Sequence, residues 1–170
     1  VLGNFNLTNV TDLKRGMVRR GQHPFHDTDT QVVLEEIGYH LEEAHNEIFH
    51  RHRDAGCPGE QIPDRISKEL NLVEVIRAAA ANWDGGYTMA GVVGNGDGFV
   101  MRDPNGIRPC FFFEDEELIV FASERPPLMT VFDKKLPEIQ ELERGHVASI
   151  KSTGEIEIKP FTEPRAYRPC

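Results

Sequence analysis

No stretch of this sequence approaches the roughly 18–20 consecutive apolar residues that a membrane-crossing helix requires. Its first residues carry no basic region followed by an apolar run, so no secretion signal is visible. The expectation is a protein without membrane contact, with the cytoplasm as its default location. Cysteine is scarce: Cys57, Cys110 and Cys170 are an odd number at wide spacing. That excludes a disulfide framework and a CxxC metal site and fits reduced thiols. Cys110, inside the apolar run "CFFF", reads as core filling. Basic charge is also in deficit, with 19 Lys and Arg against 28 Asp and Glu and a net charge of −9. A binder of the phosphate backbone needs a basic face. The only dense basic group, Lys14, Arg15, Arg19 and Arg20, sits on an expected helix and reads as a solvated face, so no nucleic-acid partner is expected.

Several reaction motifs are missing too. No serine stands in a GxSxG elbow. "GNGDG" lacks the GxGxxG spacing, the following helix and the lysine of a phosphate loop, and reads as a turn. His40, His45, His50 and His52 are separated by steps of five, five and two. Metal ligands on one helix face want i and i+4, so these rings point in different directions and no metal is expected. There is no internal repeat, linker or low-complexity tract.

What is present is a chain of 170 residues, 39% hydrophobic and 28% charged, an ordinary balance for one globular domain with a core. Residues 8–21 read as a helix with cap residues at its start and Gly21 at its end. From Thr30, the apolar positions Val33, Ile37, Leu41, Ala44 and Ile48 mark one face of a long helix, with Glu35, Glu36, Glu42, Glu43 and Glu47 among its more polar residues. "DAGCPGEQIP" breaks it as a loop over residues 54–63. Ile66, Leu70, Val73, Ile76 and Ala80 continue in helical register. Asn71 with Glu74 resembles a capping box, which leaves one helix or two open. The period then changes. "GGYTMAGVV" and "GFVM" flank the "GNGDG" turn as a hairpin, and "DPNG" is a tight turn with proline in its favoured position. "PCFFF" pairs with "ELIVFAS" across "EDEE", a short helix covers residues 127–132, and "GHVASI" pairs with "EIEIKPF" across "KSTG". Helices first and an antiparallel meander afterwards predict an α+β fold. At the start, Asn4 and Asn6 read from composition alone as turn or cap residues.

Five segments in order, "GNFNLTN", "TDTQVV", "GGYTMAGVV", "RDPNGIRPC" and "FASE", resemble the class II glutamine amidotransferase domain. The family pattern runs NGNLxN, then SDTE or SDSE, GAYS, DPxGIRPL and ASE. The matching blocks cover nearly the whole chain, and "DPNGIRP" is the most specific, pointing to the purine-pathway branch rather than to glucosamine-phosphate synthases or asparagine synthetases. The resemblance implies an N-terminal-nucleophile hydrolase fold, with antiparallel sheets packed between helical layers. It implies hydrolysis of glutamine to glutamate and ammonia by an N-terminal cysteine. A C-terminal phosphoribosyltransferase domain then uses the ammonia to make phosphoribosylamine from phosphoribosyl pyrophosphate.

Carried over residue by residue, the resemblance makes Asn4 the side-chain donor of the oxyanion hole. Phe5, which replaces the family's glycine, becomes its backbone N–H donor. Asp29 becomes the carboxylate that holds the α-amino group of glutamine. "DTDT" before a helix is equally a good N-cap cluster, with Asp27 or Thr28 capping. Asp103 and Gly106 read as turn residues, and Arg108 as a structural partner to a carboxylate. Gln31 replaces the glutamate of SDTE. Val1 is not the cysteine, which the family places well upstream together with an arginine loop that helps hold glutamine. The expectation is therefore that residues 1–170 are the later part of a single glutaminase domain, lacking its nucleophile and inactive alone. Its partners would be glutamine, the missing phosphoribosyltransferase domain and further copies in a homo-oligomer. No cofactor is expected here: the family's magnesium belongs to the missing domain. Some members carry an iron–sulfur cluster near this junction, but Cys170 in "YRPC" is not expected to ligate one. The substitutions at Phe5 and Gln31 also allow a catalytically dead domain that serves as an interaction module.

Overall fold

The structure is a computed structural model that describes residues 1–165; the Cys170 expectation lies outside them. The chain forms two compact units, one from Asn9 to Trp83 and the other from Val1–Thr8 together with the chain from Asp84 onward.

The first unit is helical. Helix α1 (Val10–Arg19) buries Leu13 and Met17, one turn apart, and Gly21 ends it with φ +85°. Helix α2 (Asp29–Asp54) starts where the Thr28 hydroxyl accepts the Gln31 N–H, the expected cap. It buries Val32, Val33, Ile37 and Ile48. It also buries Glu36, one of the polar residues of the helix. The Glu36 carboxylate accepts from the Arg20 guanidinium at 2.6 Å, and that charged partner makes its burial tolerable. The expected loop over residues 54–63 is shorter than thought. A 3-10 turn at Gly59–Gln61 leads into α3 (Ile62–Glu69), whose proline occupies the first turn, where its missing N–H costs nothing. The question of one helix or two resolves as two. The Asn71 side chain accepts the N–H groups of Val73 and Glu74 at 3.0 and 3.3 Å and starts α4 (Leu72–Ala79).

The second unit holds two antiparallel sheets. The larger has five strands in the order β1-β2-β3-β7-β8: β1 (Leu2–Leu7), β2 (Gly85–Val92), β3 (Gly98–Arg102), β7 (His146–Ile150) and β8 (Ile156–Pro160). The smaller has three in the order β5-β4-β6: β4 (Phe111–Glu114), β5 (Ile119–Ala122) and β6 (Gln140–Glu141). The expected hairpins are all present, but β4 and β5 leave the meander to found the second sheet, as the resemblance implied. Strand alternation explains the packing. Phe112 turns toward the larger sheet and packs with Val100, Cys110, Leu142 and Ala148. Phe111 and Phe113 turn the other way and pack with Leu128 of α5 (Arg125–Val131) and Ile139. Residues 2–7 are a strand and not a turn or cap, a correction to the reading of Asn4 and Asn6. Gly3 permits it, because a Cβ there would sit 2.4 Å from the Thr88 carbonyl oxygen.

Candidate active site

Among the described residues strand β1 is the outer strand of the five-stranded sheet, so one of its edges is open. Its register with β2 sets Asn4 opposite Thr88, Phe5 opposite Tyr87 and Asn6 opposite Gly86. Tyr87 spends both backbone groups on its other side. Its carbonyl accepts the Asp103 N–H at 2.8 Å, and its N–H donates to the Asp103 carboxylate at 3.3 Å. Phe5 and Tyr87 are therefore a non-hydrogen-bonded pair, and the polar groups of Phe5 point away from β2. The Thr8 N–H donating to the Asp84 carbonyl at 2.8 Å gives the same parity, with even-numbered residues of β1 paired and odd-numbered ones facing out. The Phe5 N–H thus stands on the open edge. Among the described residues the only non-glycine with positive φ is Asp133, so Phe5 occupies its position without the left-handed strain a glycine would be needed to relieve.

The Asn4 side chain leaves the face that carries Thr88 and Ala90. It lines a cavity of about 330 Å³ between the sheets, together with Thr88, Arg108, Cys110, Phe121 and Ser123. Asn4 is exposed, and its amide has no hydrogen-bond partner among the described residues. Two donors, the amide NH₂ of Asn4 and the N–H of the next residue, are therefore unspent at neighbouring positions of one strand. That arrangement can stabilise negative charge developing on a carbonyl oxygen.

Asp29 belongs to the helical unit, at the first residue of α2. Thr28 performs the capping and Asp27 pairs with Lys14, which leaves the Asp29 carboxylate accepting the Thr30 N–H at 2.9 Å. It is half-buried and has no cationic partner among the described residues, a state suited to receiving an ammonium group. Gln31, in the glutamate position, accepts the His26 N–H at 2.6 Å and so braces the approach to α2. The two described cysteines differ. Cys110 is 1% exposed, and burial pushes its thiol up to about 11, so it is not a thiolate at neutral pH. Cys57 is half-buried, and its thiol faces the Pro58 carbonyl at 3.8 Å. No group of three or more His, Cys, Asp and Glu among the described residues is disposed to hold a metal.

The turn after β3 corrects one expectation and exposes what the sequence reading missed. Arg102, not Arg108, is the partner of a carboxylate. Its guanidinium donates to Glu141 at 2.7 Å, to the Leu142 carbonyl at 2.7 Å and to the Arg108 carbonyl at 2.8 Å. Arg108 forms no ion pair among the described residues, and its Nε is buried without a hydrogen bond. Asp103 is more than a turn residue. Fully buried, its carboxylate accepts four backbone N–H groups, those of Asn105, Ile107, Arg108 and Tyr87, between 2.9 and 3.3 Å. Gly106 takes φ +69° as the turn demands.

Two antiparallel sheets packed face to face in one unit, and helices in the other, make this an α+β fold. No protein-family model matches the chain. The chain is similar to the amidophosphoribosyltransferase of Pasteurella multocida: the two are 28% identical over 172 aligned positions, which take in 98% of this chain and 30% of the relative. It is also 27% identical over 101 residues to a "Putative glutamine amidotransferase" of Methanothermobacter thermautotrophicus, covering 59% of this chain and 32% of that protein. Among solved structures it resembles the glutamine phosphoribosylpyrophosphate amidotransferase of B. subtilis complexed with ADP and GMP, with a TM-score of 0.65 at 22% identity over 95% of this chain and 28% of that one. A second structure, titled as the allosteric regulatory enzyme of purine biosynthesis, gives a TM-score of 0.65 at 22% identity, covering 94% and 28%. The chain thus spans about a third or less of the length of each of these proteins.

No helix among the described residues is long and apolar enough to cross a membrane.

Proposed function

We propose that residues 1–170 are the later part of a single glutaminase domain within a longer amidotransferase. That domain would hydrolyse glutamine and supply the ammonia for phosphoribosylamine synthesis from phosphoribosyl pyrophosphate, at the start of purine formation. The observation that carries this reading is the pair of unspent donors at Asn4 and Phe5 on the open edge of β1. Homology to amidophosphoribosyltransferase over nearly the whole chain supports the choice of reaction.

In this mechanism a cysteine thiolate from outside residues 1–170 attacks the side-chain amide carbon of glutamine. The carbonyl π electrons move onto oxygen, and the Asn4 NH₂ and Phe5 N–H donate to the resulting oxyanion. These donors bind the tetrahedral intermediate better than the planar amide, which is what accelerates the step. Collapse expels the amide nitrogen, which takes up a proton and leaves as ammonia, and a thioester remains. Water hydrolyses the thioester to glutamate through a second oxyanion at the same donors and regenerates the thiol. The resemblance alone assigns to Asp29 the α-ammonium of glutamine. Cys110 takes no part, because its thiol is buried and raised.

The test compares ammonia release from glutamine by the full-length polypeptide and by residues 1–170 alone. Release by the first and none above the buffer blank from the second is the expected result. Release by the short chain that disappears on Cys57→Ser or Cys110→Ser would place the nucleophile inside it and overturn the reading. A full-length polypeptide with no glutaminase activity would favour the interaction-module alternative.

A further inference from the structure

We infer that Asp103 is a positioning residue for the oxyanion donors Asn4 and Phe5, through the backbone of Tyr87; the inference rests on the glutaminase reading above. Asp103 touches neither donor. It closes a ring instead. Its own N–H donates to the Tyr87 carbonyl at 2.8 Å, and its carboxylate takes back the Tyr87 N–H at 3.3 Å. The same carboxylate gathers the N–H groups of Asn105, Ile107 and Arg108. The turn at residues 103–108 therefore acts as a cap on the edge of β2, at the residue that faces Phe5 across the ladder.

The ring extends to Tyr87 the alternation that the β2–β3 ladder sets, and so fixes at the Phe5 position which backbone groups β1 can use. With Tyr87 occupied by Asp103, only the even-numbered groups of β2 in this stretch remain for β1. Asn4 and Asn6 take them, and the Phe5 N–H must face the open edge. A shift by one residue would turn the Phe5 N–H inward and carry Asn4 to the opposite face of the sheet. Ile107 reinforces the register. Gly86, opposite Asn6, is backed so closely that a Cβ there would lie 2.6 Å from Ile107 Cγ2. Arg102 fixes the other flank of the turn by donating to the Arg108 and Gly106 carbonyls. A buried carboxylate meeting four N–H groups is rigid, so the donors inherit a fixed position. Phe5 gains in particular, because without the brace it has only the outer strand of a sheet to hold it.

The test uses the full-length polypeptide with Asp103→Asn, Asp103→Glu and Asn4→Ala in parallel. In Asp103→Asn either orientation of the amide sets an NH₂ against two of the four backbone donors, which loosens the ring while keeping its volume. Glutamine hydrolysis should show kcat lower by about tenfold to a hundredfold, the scale of loss for misplacing a catalytic group by about an ångström. KM for glutamine and ammonia-dependent synthesis should stay within about twofold of the parent. Asp103→Glu retains the acceptors and should recover part of the loss; it is read alone if the asparagine variant does not fold. Equal loss of the glutamine-dependent and ammonia-dependent reactions would make Asp103 a residue of general stability and overturn the inference. Unchanged kcat in Asp103→Asn beside a lowered kcat in Asn4→Ala would also overturn it and leave the glutaminase reading standing. Unchanged kcat in both would instead remove the reading on which the inference rests.

Discussion

Replacing Asp97 with alanine should lower stability sharply near neutral pH and much less in acid. Asp97 sits at the end of the hairpin turn between β2 and β3 and is fully buried. One carboxylate oxygen accepts the Lys151 ammonium at 2.9 Å, and the other accepts the Ser152 N–H at 2.9 Å. The carboxylate thus ties the β2–β3 turn to the β7–β8 turn. Burial raises its pKa, but the Lys151 hydrogen bond, the Ser152 N–H and the nearby positive charge outweigh burial and hold it below the usual carboxylate value. A folded pKa below the unfolded one adds stability that is complete above the ordinary carboxylate range and is lost as pH falls through the folded value. Removing one partner of a buried pair costs about 3–5 kcal/mol. The Lys151 side chain keeps 30% exposure and can be rehydrated, which favours the low end, about 3 kcal/mol. At about 2–4 °C per kcal/mol for a chain of this size, Tm should drop by about 6–12 °C. Urea unfolding of parent and Asp97→Ala at pH 7 and at pH 3 measures this directly. The difference between them should shrink at pH 3, below the ordinary carboxylate value, because the unfolded chain there takes up a proton that the folded carboxylate resists and the parent loses part of this stability. A difference under about 1 kcal/mol at pH 7, or one equally large at both pH values, would refute the reasoning.

Two further substitutions test the candidate site. Asp29→Asn in the full-length polypeptide should chiefly raise KM for glutamine, because an ammonium contact exists in both ground and transition states. Steady-state kinetics with glutamine and with free ammonia check this, and equal loss of both would make Asp29 structural. Phe5→Pro deletes the outward N–H without removing a ladder bond, since that group faces the open edge, where proline is tolerated. It should keep the fold by circular dichroism yet reduce glutamine hydrolysis by about 10²–10³-fold, the loss recorded for one oxyanion donor. Retained turnover would remove Phe5 from the site.

Local chemistry in the sequence foretold much of this structure, and non-local pairing accounts for what it concealed. The Thr28 and Asn71 caps and the Gly-containing hairpin turns all act within a few residues of themselves, and each was legible. Strand β1 was not. Gly3, Asn4 and Asn6 have little β propensity, and they are extended because β2, some eighty residues on, offers them a ladder. Glu36 looked like a surface residue because the charge that accompanies its burial comes from Arg20, on the preceding segment. Asp103 announced a turn through "DPNG", but its bond to the Tyr87 N–H crosses from one strand to the next and leaves no local trace. Arg102 and Arg108 are equivalent as letters. Only the position of Arg102 at the end of β3, within reach of Glu141, selects it as the paired one. The proposed site residues Asn4, Phe5 and Asp29 were reached by resemblance to a family. The structure then adds what spacing could not: an outward N–H at Phe5 and, among the described residues, an unspent amide at Asn4 and a carboxylate without a cationic partner at Asp29.

The central claim is that Asn4 donates to an oxyanion formed from glutamine. The most direct measurement is kcat for glutamine hydrolysis in full-length parent and Asn4→Ala, with ammonia-dependent synthesis followed in the same preparations. The account predicts a fall of about 10²–10³-fold in glutamine turnover with the ammonia reaction intact; undiminished glutamine turnover in Asn4→Ala would contradict it.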